Sequence, residues 1–387
     1  AVDNGFQSCL MAPTEILAKQ HYQTISELVE PLGLKVAILT GSSKTKARRE
    51  LHANLSSGVI HILIGTHALI EDVVVFKNLG LVVIDEQHRF GVAQRGKMHK
   101  KNTQPPHVLI MTATPIPRTL AMTLYGDLDT SVIDELPPGR KPITTMHFME
   151  SQRLRLIGFV KQEIALGRQV YIVYPLIQES EKLDYQNLER GYDELLQDFQ
   201  PPHYQISIVH GKLTPQQKEF EMQRFIKRET QIMVATTVIE VGVNIPNASV
   251  MVIESAERFG LSQLHQLRGR VGRGADKSYC ILMTSYKLGA DSKLRMETMV
   301  RTNDGFEISE VDLKLRGPGD LDGTQQSGVM DLKIADLAKD GQILQLARSS
   351  AQAILNEDPN LSTPENQLLL HQLQFQGKTR SSWSKIG

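Results

Sequence analysis

The stretch VVIDEQHRFG (82–91) closes an apolar run, LVVI (81–84), on two adjacent acids, Asp85 and Glu86, followed by Gln87 and His88. A short unbroken run of Val, Leu and Ile reads as a buried strand of a parallel sheet. In open α/β sheets ligands bind beyond the carboxyl ends of the strands. Adjacent carboxylates in that place suit metal-assisted phosphoryl transfer. One positions Mg2+, which keeps much of its hydration shell. The other orients and deprotonates an attacking water. The competing reading is a solvated loop. The pair's position at the end of an apolar strand, with Gln-His next, argues against it.

Working outward, the same pattern recurs. The first half holds SCLMAP, KVAILTG, VIHILIGTHA, LVVIDE and HVLIMTATP; the second holds QVYIVYPL, QISIVHG, QIMVATT, ASVMVIES and YCILM. Such runs alternating with helical stretches predict a doubly wound α/β sheet. The Pro- and Gly-rich DELPPGRKP (134–142) lies between the two series and reads as a linker. The domain boundaries expected are 1–138, 139–286 and 287–387. Polar clusters follow several runs: Pro13-Thr14-Glu15, Gly65-Thr66-His67, Thr112-Ala113-Thr114-Pro115 and Ala235-Thr236-Thr237. With Asp85-Glu86 they predict two crevices, one per domain, that can face each other across the linker.

A second chemical signal is QLHQLRGRVGRG (263–274). The i, i+3 spacing predicts Arg270 and Arg273 on one face of a helix. Rigid guanidinium forks fit phosphate oxygens. The competing reading is a surface helix with ion pairs.

Composition excludes little. The chain has 387 residues, 41% of them hydrophobic, and Lys+Arg and Asp+Glu are both 43. Charge is uneven, however. Residues 258–301 carry nine basic side chains (Arg258, Arg268, Arg270, Arg273, Lys277, Lys287, Lys293, Arg295, Arg301) against Asp276, Asp291 and Glu297. A local basic stripe suits phosphate-rich ligands, or it is a solvated helical face. Cys9 and Cys280 sit in apolar runs and form neither a metal spacing nor a disulfide framework, so both are expected to be buried thiols in a reducing cytoplasm. No apolar run approaches the length of a membrane span, and the start is not a signal peptide.

After residue 286 the pattern changes. SKLRMETMVRT is helical, NDG stops it, FEISEVDLKLR is helical again, and GPG (317–319) ends it. This predicts a helical hairpin followed by a loop. The tail from about 331 reads as polar helix that weakens after NEDPNLSTPEN.

The strings MAPTEILAKQH, IGTHALI, DEQHRFGV, TATPIPRTL, VATTVIEVGVNIPNAS and QLHQLRGRVGRG resemble, in order, the motifs of superfamily 2 helicases and translocases. DEQHRFGVAQR, TATPIPRTLAMTLYGDLDTSVIDELPPGR and NDGFEISEVDLKLRGPGDLDGTQQSG resemble the RecG family within that superfamily. The transcription-repair coupling factor shares the hairpin but typically has Glu-Glu-His after the Asp and lacks the DELPPGR run.

The resemblance implies two RecA-like domains with a C-terminal helical hairpin. It implies an ATP-dependent double-stranded DNA translocase that remodels stalled forks and Holliday junctions in repair and recombination. It makes Asp85 the Mg2+ ligand and Glu86 the activator of water. Gln87, His88, Thr112 and Thr114 would couple nucleotide to DNA. Arg270 and Arg273 would be arginine fingers with Gln266 beside them. Pro13, Thr14, Gly65, Thr66, Thr236 and Thr237 would line the DNA track, and Arg295, Arg316 and Gln326 would convert motor closure into translocation. Asn244 stands where many relatives have Asp, and Gln325 where many have Arg. Branched double-stranded DNA is the implied partner, with single-stranded DNA-binding protein as a further one, for a monomeric cytoplasmic protein.

A P-loop requires GxxxxGK[ST]. Gly-Lys-Thr occurs once, at 377–379, and the residue five before Gly377 is Gln372, not Gly. The resemblance places the family's P-loop and wedge domain upstream of Ala1. The expectation is therefore a C-terminal portion that does not hydrolyse ATP alone. The alternative is a non-catalytic nucleic-acid or protein-binding module that retains the helicase fold.

Overall fold

Among the described residues every strand pairing is parallel. The computed structural model describes residues 1–43, 45–86, 90, 97–98, 101–113, 129, 131–175, 181–236, 245–274, 277–316 and 340–377. The chain divides into two compact units, one of residues 1–112, 116–133 and 313–387, the other of 113–115 and 134–312.

The first unit contains β1 (Gln7–Met11), α1 (Glu15–Val29), β2 (Val36–Leu39), α2 (Thr45–Ser56), β3 (Ile62–Gly65), β4 (Leu79–Ile84) and β5 (His107–Ile110). Its sheet order is β2-β3-β1-β4-β5. Because side chains alternate across a strand, the apolar runs feed two cores. Cys9, Met11, Leu63, Val82 and Ile84 pack with Leu51 and Leu55 of α2 on one face. Leu10, Ile64 and Val83 pack with Ala18, Tyr22 and Ile25 of α1 on the other. Ala18, Tyr22 and Ile25 recur at i, i+4, i+7, which is why this segment buries one helical stripe. Each large aliphatic side chain fully buried here contributes about 1.5–3 kcal/mol.

The second unit contains β6 (Thr144–Met149), α3 (Arg153–Ala165), β7 (Gln169–Tyr174), α4 (Glu181–Asp198), β8 (Ile206–Val209), α5 (Pro215–Ile226), β9 (Ile232–Thr236), β10 (Ala248–Ile253), α6 (Leu261–Arg268), β11 (Tyr279–Thr284) and α7 (Ala290–Arg301). Its sheet order is β6-β11-β10-β7-β9-β8. Val170, Ile172, Val250, Val252 and Ile281 pack against Leu156 and Val160 of α3 and Leu188 and Leu195 of α4. On the alternate positions Tyr171 meets Phe225 of α5, with ring centroids 5.1 Å apart. The strand β6 was not among the expected runs. It opens with two threonines, and only Phe148 among its residues is buried.

The two sheets share a device at their amino ends. Gln7, at the start of β1, donates from Nε2 to the carbonyls of Leu55 (3.0 Å) and Ile60 (2.7 Å). Gln169, at the start of β7, donates to those of Phe225 (2.7 Å) and Thr230 (2.8 Å). One amide side chain thus ties the amino edge of each sheet to the neighbouring connections. The carboxyl edges are left for the ligand-facing loops.

After α7 the chain turns through Thr302–Asp304 into α8 (Gly305–Arg316), the expected hairpin. Asp304 Oδ1 accepts from the Phe306 N–H at 2.8 Å and caps the second helix. Further on, α9 (Gly341–Glu357) and α10 (Gln367–Gly377) flank Asp358. The Asp358 carboxylate accepts from the Ser362 and Thr363 backbone N–H groups, both at 2.9 Å, and from Asn366 at 3.1 Å. Those bonds hold its carboxyl well below the usual carboxylate range. Both thiols are free and buried, and burial pushes each up to about 12.

Candidate functional site

The ladder of the first sheet sets the height of every candidate residue at its carboxyl edge. Ala12 N donates to Gly65 O (2.8 Å), Thr66 N to Leu39 O (3.3 Å), Asp85 N to Met11 O (2.9 Å) and Met111 N to Ile84 O (2.8 Å). Pro13, Thr14, Glu86 and Thr112 are therefore the first groups beyond the paired backbone. Thr14 Oγ1 accepts from Leu17 N at 3.3 Å and caps α1. The positive end of that helix dipole consequently lies at this edge.

Asp85 Oδ2 lies 2.9 Å from Nε2 of His21, on α1. Glu86 adopts φ +50°, the left-handed region. For a non-glycine residue this costs on the order of 1–3 kcal/mol and is characteristic of functional sites. Gly65 has a packing reason for being glycine, since a Cβ there would meet Leu39 O at 2.1 Å. Thr66 is buried, and its hydroxyl meets no hydrogen-bond partner among the described residues.

The second unit repeats this arrangement. Thr236 ends β9, and its hydroxyl too is buried without a partner among the described residues. Buried hydroxyls without partners are uncommon, and here one occurs at the same edge of each sheet. At the end of β10, Glu254 receives a bidentate pair from Arg153, at 3.0 and 2.8 Å.

The arginines do not share a helical face. The helix α6 ends at Arg268 and Gly269 caps it. Arg270 N then bonds to Leu267 O, and Val271 N to Arg268 O, the tighter i to i−3 pattern. Gly272 next takes φ +76°, which rotates the chain out of the helix. A Cβ on Gly272 would also meet Ile143 Cγ1 at 2.8 Å. Arg270 and Arg273 thus stand on a loop built by two glycines, and Gln266 stays on α6. The loop is held by Arg140, whose Nε donates to Gly272 O at 2.8 Å. Arg273 Nε reaches Gly269 O at 3.4 Å. Burial pushes the Tyr171 hydroxyl up, opposed by the charges of Arg273 and Arg270.

The basic stripe is smaller than the count implied. Arg268 is 2% exposed. Arg295 points inward, donating to the carbonyls of Phe259 and Glu257 (3.0 Å for the latter) and to Ser292 Oγ (2.9 Å). Arg316 is the last residue of α8. Gln87, His88, Thr114, Thr237, Asn244, Gln325 and Gln326 lie outside the described residues.

Sequence reasoning missed His21, Arg140, Arg153 and the inward role of Arg268. A signal existed for His21, which follows the Thr14 cap by seven residues and so falls on the same helical face.

Comparison with known proteins supplies the family. Residues 1–123 match the DEAD/DEAH box helicase model, 153–275 the helicase conserved C-terminal domain, and 302–387 domain 3, C-terminal, of ATP-dependent DNA helicase RecG. The chain is 54% identical over 361 residues to the ATP-dependent DNA helicase RecG of Synechocystis sp.. The chain belongs to the RecG family. The RecG of Bacillus subtilis is 51% identical over 377 residues. These alignments cover 93% and 97% of this chain but 43% and 55% of the relatives, so the chain spans about half the length of the RecG proteins it matches. A solved structure of RecG bound to a three-way DNA junction superposes with a TM-score of 0.69 at 43% identity, covering 88% of this chain and 44% of that one. Among the described residues no helix is long and apolar enough to cross a membrane.

Proposed function

We propose that this chain carries the motor of an ATP-driven, RecG-type translocase acting on branched double-stranded DNA at stalled forks and Holliday junctions. The observation that carries the reading is the emergence of Asp85 and Glu86 at the carboxyl edge beside the capped end of α1, in a chain of RecG sequence. The relatives' name, ATP-dependent DNA helicase, supports nucleotide use; the RecG structure bound to a three-way junction supports branched DNA.

On this reading Glu86 takes the proton of the attacking water, and its strained backbone holds the carboxylate in one orientation. Asp85 fits Mg2+, because that ion takes one or two carboxylates and fills its remaining positions with water and phosphate oxygens. Mg2+, when bound, would neutralise charge on the phosphates. His21 fixes the rotamer of Asp85. Arg270 and Arg273 stabilise charge on the transferring phosphoryl group, with Gln266 behind them. Gln87, His88, Thr112 and Thr114 relay between nucleotide and DNA. Pro13, Thr14, Gly65, Thr66, Thr236 and Thr237 line the track of the DNA backbone. Arg295, Arg316 and Gln326 belong to the translocating hairpin. Functionally the chain divides at 1–138, 139–286 and 287–387. Family membership alone carries two further expectations, a cytoplasmic monomer and single-stranded DNA-binding protein as a partner.

The test joins this chain to the amino-terminal portion of a RecG relative. Glu86→Gln should abolish fork-stimulated ATP hydrolysis while fork binding persists; hydrolysis at the unaltered rate overturns the reading. One observation favours a second reading for the 387 residues taken alone: they contain no GxxxxGK[ST]. Catalysis of phosphoryl transfer depends on positioning the phosphates. This polypeptide should therefore bind DNA without hydrolysing ATP, and turnover that Glu86→Gln removes would contradict that.

A further inference from the structure

Among the described residues Arg268 is the only Lys or Arg that is buried, at 2% exposure. It has the acceptors such a group needs, and none is a carboxylate. Nη1 donates to the carbonyls of Met299 (2.9 Å) and Thr302 (2.8 Å) and to Thr145 Oγ1 (3.3 Å). Nη2 lies 3.1 Å from Nδ1 of His265. Met299 is in the last turn of α7 and Thr302 is its C-cap. The carbonyls at a helix C-terminus lack intrahelical partners and carry partial negative charge. The guanidinium satisfies two of them.

Arg268 is also the last residue of α6, immediately before the Gly269–Gly274 loop that bears Arg270 and Arg273. One buried group therefore fixes both the start of the arginine loop and the end of the first hairpin helix. The middle of α7 is anchored as well, by Arg295 on the carbonyls of Glu257 and Phe259, just before α6. The first hairpin helix is tied at two points to the segment that carries the arginines.

Energy alone does not explain a guanidinium here. Replacing buried charged groups with apolar residues of similar volume is often neutral or stabilising. What the guanidinium adds is direction, since its donors form a rigid planar fork. We propose that Arg268 is a positioning residue that makes the arginine loop and α7 move as one body, coupling hydrolysis to movement of the hairpin along DNA. This rests on the function proposed above.

The test joins this chain to the amino-terminal portion of a RecG relative and compares wild type with Arg268→Met and Arg268→Lys. It measures melting temperature, fork-stimulated ATP hydrolysis, and base pairs unwound per ATP consumed. Arg268→Met should hydrolyse ATP within roughly threefold of wild type but consume about tenfold more ATP per base pair, the size of effect seen for residues that modulate coupling. Arg268→Lys, which keeps charge and a donor, should recover part of the loss. Hydrolysis and unwinding that fall in the same proportion, or unchanged ATP per base pair in Arg268→Met, overturn the proposal. If Arg268→Met does not fold, Arg268→Gln, which keeps a donor toward the helix end, takes its place in the same comparison. A wild type that fails to hydrolyse ATP on forks would sink the proposed function instead, so the two failures are distinct.

Discussion

His21 and Asp85, 64 residues apart in sequence, are joined at 2.9 Å between Nε2 and Oδ2. The bond connects the helix capped by Thr14 to the first acid after β4. A group that orients a metal-binding carboxylate affects metal affinity without touching the metal. With the amino-terminal portion of a RecG relative joined to this chain, His21→Ala should raise the Mg2+ concentration for half-maximal ATPase by roughly tenfold, with little change in melting temperature. A Mg2+ titration of the variant checks this; an unchanged midpoint would leave His21 a packing residue.

Arg273 stands on a loop rather than a helix, yet the role proposed for it predicts a sharp kinetic signature. Arg273→Ala should lower kcat by about 10³-fold while ATP binding is nearly preserved. Steady-state ATPase with fork DNA distinguishes the outcomes. A raised KM at unchanged kcat would remove Arg273 from the transition state.

Gly272 permits that loop. Alanine there would hold φ +76° against its preference and press on Ile143. Gly272→Ala should destabilise by about 1–2 kcal/mol and reduce ATPase beyond the loss of folded protein. Denaturant unfolding and activity at equal folded fraction test both parts. Equal stability and activity would mean the loop relaxes freely.

His265 gives a pH signature. Burial, with the charge of Arg268 added, pushes its imidazole down from 6.5 to about 4, against a smaller opposing pull from Asp304. Between those values the unfolded chain binds a proton that the folded one refuses. Stability should therefore fall as pH drops from 6.5 toward 4, by up to about 1.4 kcal/mol per pH unit from this group. Above 6.5 the group contributes no slope. His265→Asn, whose Oδ1 can still accept from Arg268, should flatten the melting-temperature profile in that window. An identical profile would assign the loss to other groups.

The strands were legible because strands buried on both faces are written as unbroken apolar runs, as LVVI and QVYIVY show. TTMHFM escaped because an edge strand with one buried side chain carries no such run. The strand-end acids and threonines were legible through position alone. The arginines misled: an i, i+3 spacing fits a helix until Gly269 and Gly272 are weighed as its end. The charge stripe misled for another reason. A count of Arg268 and Arg295 says nothing of direction, and both spend their donors on carbonyls inside the fold. The strain at Glu86 left no trace in residue type.

Arg140, near the end of the stretch first read as a linker, donates to the carbonyl of Gly272, between Arg270 and Arg273. Three residues later Ile143 packs on the same glycine, and β6 then joins the sheet. The connecting stretch thus finishes as a tether whose knot is the arginine loop. The chain entering the second sheet is therefore fastened to the loop between the two guanidinium groups before it is fastened to any strand, and that loop and the entry to β6 share one anchor.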